Sequence, residues 1–241
     1  MKQTIFFAAF LLLSVFSYGQ LLPSVNTATT KPNVIKNGTI YYKMSVEGEE
    51  SQAKMLNNST FEYAFSGKDS KFAGLVMGGL FSGNLIVDGV ANNGLALMNI
   101  MGQRKAIRMT QADIAKAQNS ATNMNGVTFT PIAGTQNIAG YNCKKVMITD
   151  PKNPTSQTVV FVCNIVAPES GGMVDEMMKK LNGFPLGFEV KSKDGSKIKI
   201  YATEVSTKLP KKADFKQIVP EGYEETSMEK MREEFDPKEG Q

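Results

Sequence analysis

The sequence predicts an α+β fold in which a curved antiparallel sheet forms an open half-barrel, covered by a few short helices. Segments with alternating apolar and polar residues recur along the chain and are joined by short turn sequences. Helical patterns are few and do not alternate regularly with these segments. Together the two observations favour an antiparallel meander over a βαβ fold.

The composition fits one globular domain with short tails. The chain has 241 residues, of which 41% are hydrophobic and 21% charged, and its formal net charge is +4. Histidine and tryptophan are absent, which excludes Ser-His-Asp and Cys-His catalysis and every His-ligated metal site. The weak, scattered positive charge does not indicate a nucleic-acid partner.

The first residues are typical of a secretory signal peptide. Lys2 precedes the apolar run 5–16, and Ser17-Tyr18-Gly19 offers small residues to signal peptidase. We expect cleavage before Gln20, which makes residues 1–19 the signal and places the mature protein in the periplasm or outside the cell. The run is shorter than the roughly 20 residues that span a bilayer, so no membrane span is expected after cleavage. An uncleaved anchor is the alternative.

The mature chain divides into three parts. Residues 20–37 mix Pro, Thr and Asn without periodicity and predict a flexible lead-in, residues 38–223 form the single curved-sheet domain, and residues 224–241 form an acidic helical tail. Period-two alternation places strands at the following segments: 40–46, 61–65, 85–87, 95–101, 186–190 and 198–202.

Three helices are predicted. Thr110-Gln111-Ala112-Asp113 resembles a capping box, and a short helix follows it. Ser170 is placed to cap a second helix, which has one apolar stripe formed by Met173, Val174, Met177, Met178 and Leu181. The tail has Met228, Met231 and Phe235 at helical spacing.

The two cysteines are placed to face each other. Cys143 and Cys163 lie in strand-like runs on either side of the turn sequence 151–154. Paired residue numbers in a simple hairpin have a constant sum, and a loop centred on Asn153 gives 306, the sum for this pair. Cβ atoms of such residues lie about 4.5–5.5 Å apart, so a disulfide is predicted. The alternative is two buried free thiols, and a redox-active pair is disfavoured because CxxC is absent.

The segment from Phe72 to Gln103 is apolar and rich in glycine, and Asp88 is its one charged residue. Glycine-rich apolar strands leave room for bending or for a ligand. We therefore expect the wall of a hydrophobic cavity here, with the methionine-bearing helix as a movable cover. The predicted cavity residues are Phe72, Leu75, Met77, Leu80, Phe81, Leu85, Val87, Leu95, Leu97, Met101, Met173, Val174, Met177, Met178 and Leu181. The alternative is that both the segment from Phe72 to Gln103 and the methionine-bearing helix belong to an ordinary filled core.

Catalytic motifs are absent from the sequence. It contains neither GxSxG nor a glycine-rich phosphate loop. Four aspartates fall next to turn or cap signals, where a structural role is expected: Asp69, Asp88, Asp113 and Asp150. We expect no catalytic residue, no metal and no cofactor, and hence no enzymatic activity. A hydrolase site assembled from distant residues is the least favoured alternative.

Several segments resemble a known family. Thr135–Lys145 (TQNIAGYNCKK) is similar to a K-x-I-A-G-Y-x-C-K-K signature, and Gly183-Phe184-Pro185-Leu186 and Pro220-Glu221-Gly222-Tyr223 follow in the same order. This order resembles exported bacterial proteins of domain-of-unknown-function family 4412, over residues 38–223. The family looks related in architecture to LolA/LolB-type lipoprotein carriers, which implies an open curved sheet whose concave apolar face is covered by helices. No catalytic residue is carried over.

The expected function is non-enzymatic binding of an apolar ligand, such as a lipid or the acyl chain of a lipoprotein. The alternative is an envelope protein that binds another protein through a sheet edge or through the acidic tail, without a small ligand. The sequence does not predict an oligomeric state.

Overall fold

The computed structural model describes residues 34–48, 54–115, 126–151, 157–169, 178, 180–191 and 195–235. Within these ranges twelve strands form one sheet. The strands are β1 (Asn37–Glu47), β2 (Thr60–Ser66), β3 (Asp69–Val76), β4 (Phe81–Asp88), β5 (Asn93–Ile100), β6 (Gln103–Met109), β7 (Thr128–Ile138), β8 (Tyr141–Thr149), β9 (Gln157–Cys163), β10 (Phe184–Lys191), β11 (Lys197–Ser206) and β12 (Glu224–Thr226). Helical segments include 3-10 turns at Met77–Gly79 and Lys212–Phe215, an α-helical turn at 111–115, and a C-terminal helix, Met228–Phe235.

The sheet is open, and its strand order is β12-β6-β5-β4-β3-β2-β1-β11-β10-β9-β8-β7. Neighbouring strands are antiparallel, except that β12 runs parallel to β6. Two meanders, β1–β6 and β7–β11, are joined where β1 pairs with β11, from Thr39↔Ser206 to Glu47↔Lys197. The predicted fold class, a curved antiparallel half-barrel with a few short helices, is confirmed.

The alternation in β1 separates the two faces of the sheet. Ile40, Tyr42, Met44 and Val46 are buried, whereas the residues between them are exposed. We call the face that carries these four residues the inner face and the opposite one the outer face. Period-two patterning therefore predicted both the strand and its buried side correctly.

The centre of the inner face is an aromatic cluster. The ring of Phe184 stacks on Tyr63, at a centroid distance of 5.6 Å, and on Phe65, at 6.5 Å. The buried hydroxyl of Tyr42 donates a hydrogen bond to the carbonyl oxygen of Pro185, at 2.9 Å. Leu56, Ile114 and Leu181, from a turn and two helical segments, complete the same core. These short segments cover the inner face.

The C-terminal segment, residues 207–235, wraps around the edge of the sheet at β6. On the outer face, Val219 and Tyr223 pack against Leu95, Leu97 and Ala106. The chain then pairs with β6 as β12, and Met228 and Met231 of the C-terminal helix pack against the core of the inner face. This segment therefore contacts both faces.

Several predictions fall outside the described residues. These are the signal peptide and its cleavage site, the first part of the lead-in, residues 236–241 of the tail, and Met173, Val174 and Met177. Ile35, near the end of the predicted lead-in, bridges Val166, and its N–H donates to the carbonyl oxygen of Ile165 at 2.7 Å. In the part of the chain that the structure describes, no helix has the length and apolar character needed to cross a membrane.

Candidate functional site

The candidate site is a gap in the side-chain layer of the inner face. One row of directly paired residues crosses the face from β2 to β6: Phe61, Gly74, Gly83, Met98 and Lys105. Two glycines thus lie side by side on β3 and β4. We call the space at Gly74 and Gly83, between Phe61 and Met98, the glycine gap.

The two halves of the glycine gap differ in how they are filled. A Cβ atom added at Gly74 would lie 2.9 Å from Cδ1 of Phe61, so the Phe61 ring covers this glycine. Among the residues that the structure describes, a Cβ atom at Gly83 would have a single neighbour within 4 Å, the backbone oxygen of Leu97 at 3.7 Å. The open space is therefore at Gly83.

Apolar side chains border the gap. The neighbouring row holds Phe72, Leu85 and Ile107, all buried, and the Phe72 ring stacks on Phe61 at a centroid distance of 5.9 Å. Met98 is half-buried against the same core, as are Met77, Met228 and Met231. Methionine is flexible and polarizable, so it adapts to irregular apolar partners.

A polar cleft of about 660 Å³ lies at the β6 end of the same row. Its lining residues are Gln103, Arg104, Lys105, Gly222, Glu224 and Glu234. Lys105 is largely buried and pairs with Glu224 at 2.9 Å and with Glu234 of the C-terminal helix at 3.4 Å. The hydrogen bond donated to Glu224 raises the pKa of Lys105. The two carboxylates therefore favour the protonated form of Lys105.

The predicted cavity residues do not share one surface. Phe72, Leu85 and Leu181 belong to the core of the inner face, and Met77, Val87 and Met178 pack against it. Leu95 and Leu97 lie on the outer face under Val219 and Tyr223. Leu75, Leu80 and Met101 are exposed at one end of the sheet, where Phe81 is half-buried. The gap itself contains none of them.

The sequence analysis did not select Phe61, Gly74, Gly83 or Met98 as site residues. A signal for the two glycines was present: in the β3–β4 hairpin the paired numbers sum to 157, which pairs Gly74 with Gly83. The same constant-sum argument that was applied to the cysteines would have placed the glycines side by side.

The predicted register of the cysteine hairpin is confirmed. Pairs from Lys144↔Val162 to Ile148↔Thr158 all have the sum 306, and Cys143 and Cys163 lie one position beyond the first of them. The structure has both cysteines as buried free thiols and contains no disulfide between them. Burial raises the pKa of Cys143 to about 12 and also raises that of Cys163.

We expect neither thiol to react quickly with iodoacetamide in the folded protein at pH 8, because the thiolate is the nucleophile and both thiols are buried and protonated. After unfolding in guanidinium chloride without reductant, both should be alkylated, as counted by intact mass. The cross-strand disulfide stays a prediction, and failure of the unfolded, unreduced protein to take up any label would support it. Rapid labelling of the folded protein would contradict the burial.

The sheet edge and the acidic tail, the two surfaces expected to bind a protein partner, both have local features that make them less available for binding. The edge strand β7 contains Pro131 and an irregularity between Ile132 and Thr135, with Gly134 at φ 93°, and such features hinder strand addition. The first acidic residues of the tail are engaged within the chain, since Glu224 binds Lys105 and Glu225 binds Arg108 at 3.0 Å.

No family model and no curated protein matches the chain, so the resemblance to family 4412 is not confirmed. Among solved structures, the chain is similar to PNGF-II, with 16% identity and a TM-score of 0.42 over 78% of this chain and 30% of that one. It is similar to MucB, with 11% identity and a TM-score of 0.37 over 87% and 62%. It is also similar to the Mycobacterium tuberculosis lipoprotein LppX, with 9% identity and a TM-score of 0.31 over 72% and 89%. The chain thus spans less than two thirds of the first two proteins.

Proposed function

We propose that the protein binds an apolar ligand, a lipid or the acyl chain of a lipoprotein, on the inner face of its open sheet and catalyses no reaction. The observation that carries the proposal is the glycine gap. A strand position that faces a hydrophobic core normally supplies a side chain to fill it, yet Gly83 supplies none and nothing else in the described residues fills its place closely.

The physical basis is apolar burial. An alkyl chain in the glycine gap would contact Phe61 and Met98 and lose its exposure to water, at about 25 cal/mol for each Å² removed from solvent. Lys105, at the end of the row, is paired with Glu224 and Glu234, so its ammonium group does not face an alkyl chain without a partner. The C-terminal helix that carries Glu234 is held near this part of the face by the same contact.

Filling the gap tests the proposal. Gly83 does not have a positive φ, so Gly83→Val needs no unusual backbone, and valine suits a strand. We expect the variant to fold at least as stably as the wild type. Its affinity for a fluorescent long-chain fatty acid should fall by at least about tenfold, because the apolar contact area in the gap is lost. Fluorescence titration measures the affinity, and native mass spectrometry detects lipid that copurifies.

The matched control is Asn84→Val, which adds the same side chain one residue along β4, where it points to the outer face. This variant should keep the affinity of the wild type. Equal loss in both variants would show that the gap is not the site. Absence of binding by the wild type, with no copurified lipid, would contradict the proposed function itself.

The compartment is part of the proposal. The signal peptide predicted at residues 1–19 supports export, and N-terminal mass mapping of the protein recovered from its native compartment should find Gln20 as the first residue. Recovery of a chain that retains residues 1–19 would support the uncleaved anchor instead.

A further inference from the structure

Exposed apolar residues cluster at one end of the sheet, where the β3–β4 and β5–β6 hairpins turn side by side. Phe81 pairs with Ile100, and the N–H of Met101 donates to the carbonyl oxygen of Leu80 at 2.8 Å. Leu75, Leu80 and Met101 are 53%, 47% and 73% exposed. Met55, in the turn next to these hairpins, is 51% exposed. We call these four residues the apolar tip.

The backbone at the apolar tip is strained in a way that its own packing does not explain. Met101 and Gly102 form a two-residue turn with φ angles of 52° and 93°. Such turns favour Asn-Gly, because both central residues need a positive φ. Met77, in the neighbouring hairpin, also has a positive φ, 54°. A long apolar side chain that remains exposed in an unfavourable conformation indicates a role outside the folding of the domain.

Three cations lie around the apolar tip, together with two acids: Glu47, which is paired with Lys199, and Glu62, which lies one row further from the tip on the outer face. On the outer face, the row of paired residues that contains Leu75 has Lys43 at one end and Arg104 at the other, and Lys54 precedes Met55. Asp88, the one acid between Phe72 and Gln103, lies at the opposite end of the sheet, where its carboxylate accepts hydrogen bonds from two backbone N–H groups of its turn. Glu224 and Glu234, near Arg104, are paired with Lys105.

We propose that the apolar tip docks onto the surface of an anionic lipid bilayer, with Leu80 and Met101 among the acyl chains and Lys43, Lys54 and Arg104 facing phosphate groups. Exposed apolar loops flanked by cations fit such an interface. This inference rests on the proposed function, since Phe81 is the only inner-face position of β4 between the tip and Gly83. A lipid that leaves the bilayer at the tip would reach the glycine gap directly.

The test uses Met101→Asn and vesicles of phosphatidylethanolamine and phosphatidylglycerol. Asparagine tolerates a positive φ, so we expect the unfolding temperature to stay the same or to rise. Vesicle binding, measured by flotation, should weaken about tenfold because one apolar anchor is lost. Weaker vesicle binding by a variant that is not destabilised would not be produced by a purely structural role for Met101. Raising the salt concentration should also weaken the binding of the wild-type protein to the vesicles.

The matched control is Val90→Asn. Val90 is 79% exposed in the β4–β5 turn, at the other end of the sheet, so its substitution removes a comparable apolar group away from the tip. It should leave vesicle binding unchanged. Equal binding by wild type and Met101→Asn, or no vesicle binding by the wild type, would overturn the docking proposal. Retained fatty-acid binding in that case would leave the proposed function standing.

A second copy of the chain is the other occupant that the experiment separates. If the tip joins two copies, light scattering without vesicles will show a wild-type dimer that Met101→Asn dissociates, and the bilayer proposal is then wrong. A monomer that floats with anionic vesicles supports it.

Discussion

Replacing Phe184 by alanine should lower the free energy of unfolding by about 3–5 kcal/mol, the usual cost of removing a large aromatic side chain from a core. Phe184 is fully buried, and its ring contacts Tyr63 and Phe65 at the centre of the inner face. Both ring partners are themselves buried, so neither can relax readily into the void. Guanidinium chloride unfolding followed by circular dichroism measures the loss.

Two further variants test whether the loss of stability comes from the void or from a general sensitivity of the protein to substitution. Phe184→Leu keeps most of the apolar volume and should cost less than the alanine variant. Tyr41→Ala removes an aromatic ring that is 39% exposed on the outer face and should cost no more than about 1 kcal/mol. If Tyr41→Ala and Phe184→Ala destabilise the protein equally, Phe184 does not lie at the centre of the core.

The second large effect is expected for Gly187→Ala, which should destabilise the protein by about 1–3 kcal/mol through overpacking. The new Cβ atom would lie 2.5 Å from Cδ1 of Tyr201 and 2.9 Å from Cδ1 of Ile138. The Tyr201 ring is not free to move away, because it packs edge-on against Phe161 at a centroid distance of 5.5 Å and its hydroxyl donates a hydrogen bond to Glu189.

A double-mutant cycle with Tyr201→Ala checks this explanation. Removing the ring should recover much of the cost of Gly187→Ala, giving a coupling energy of about 1 kcal/mol or more between the two sites. Gly83→Ala is the control, because its Cβ atom would have open space and an ordinary strand backbone. This substitution should be neutral or stabilising. A cost that persists in the Tyr201→Ala background would point to strain in the backbone instead.

The sequence predicted the fold best where polar and apolar residues alternate. In β1 the polar residues Tyr41, Lys43 and Ser45 leave one arrangement that buries the apolar side, and the structure adopts it. The register of β8 and β9 was likewise predictable, because the turn sequence fixes the centre of the hairpin and the pairs follow by counting. Local information is sufficient in both cases.

The candidate site was less predictable because β5, one of its strands, has apolar residues on both faces. In β5, Leu95 and Leu97 alternate with Ala96 and Met98, so either face satisfies the hydrophobic pattern equally well. The choice depends on the C-terminal segment, which brings Val219 over Leu95 and Leu97 from more than a hundred residues away. Period two assigns neighbours to opposite faces, but it does not say which face the rest of the chain will cover.

The seam between β1 and β11 has a consequence for folding kinetics. Each meander consists of strands that are close in sequence and can pair early in folding, whereas the seam joins Thr39 to Ser206. Contacts of such long range form slowly, because a large loop must close before they stabilise anything. During that interval β1 offers an unpaired backbone edge, which is the kind of surface on which incomplete chains aggregate. We therefore expect aggregation during refolding to be greatest before β1 and β11 have paired.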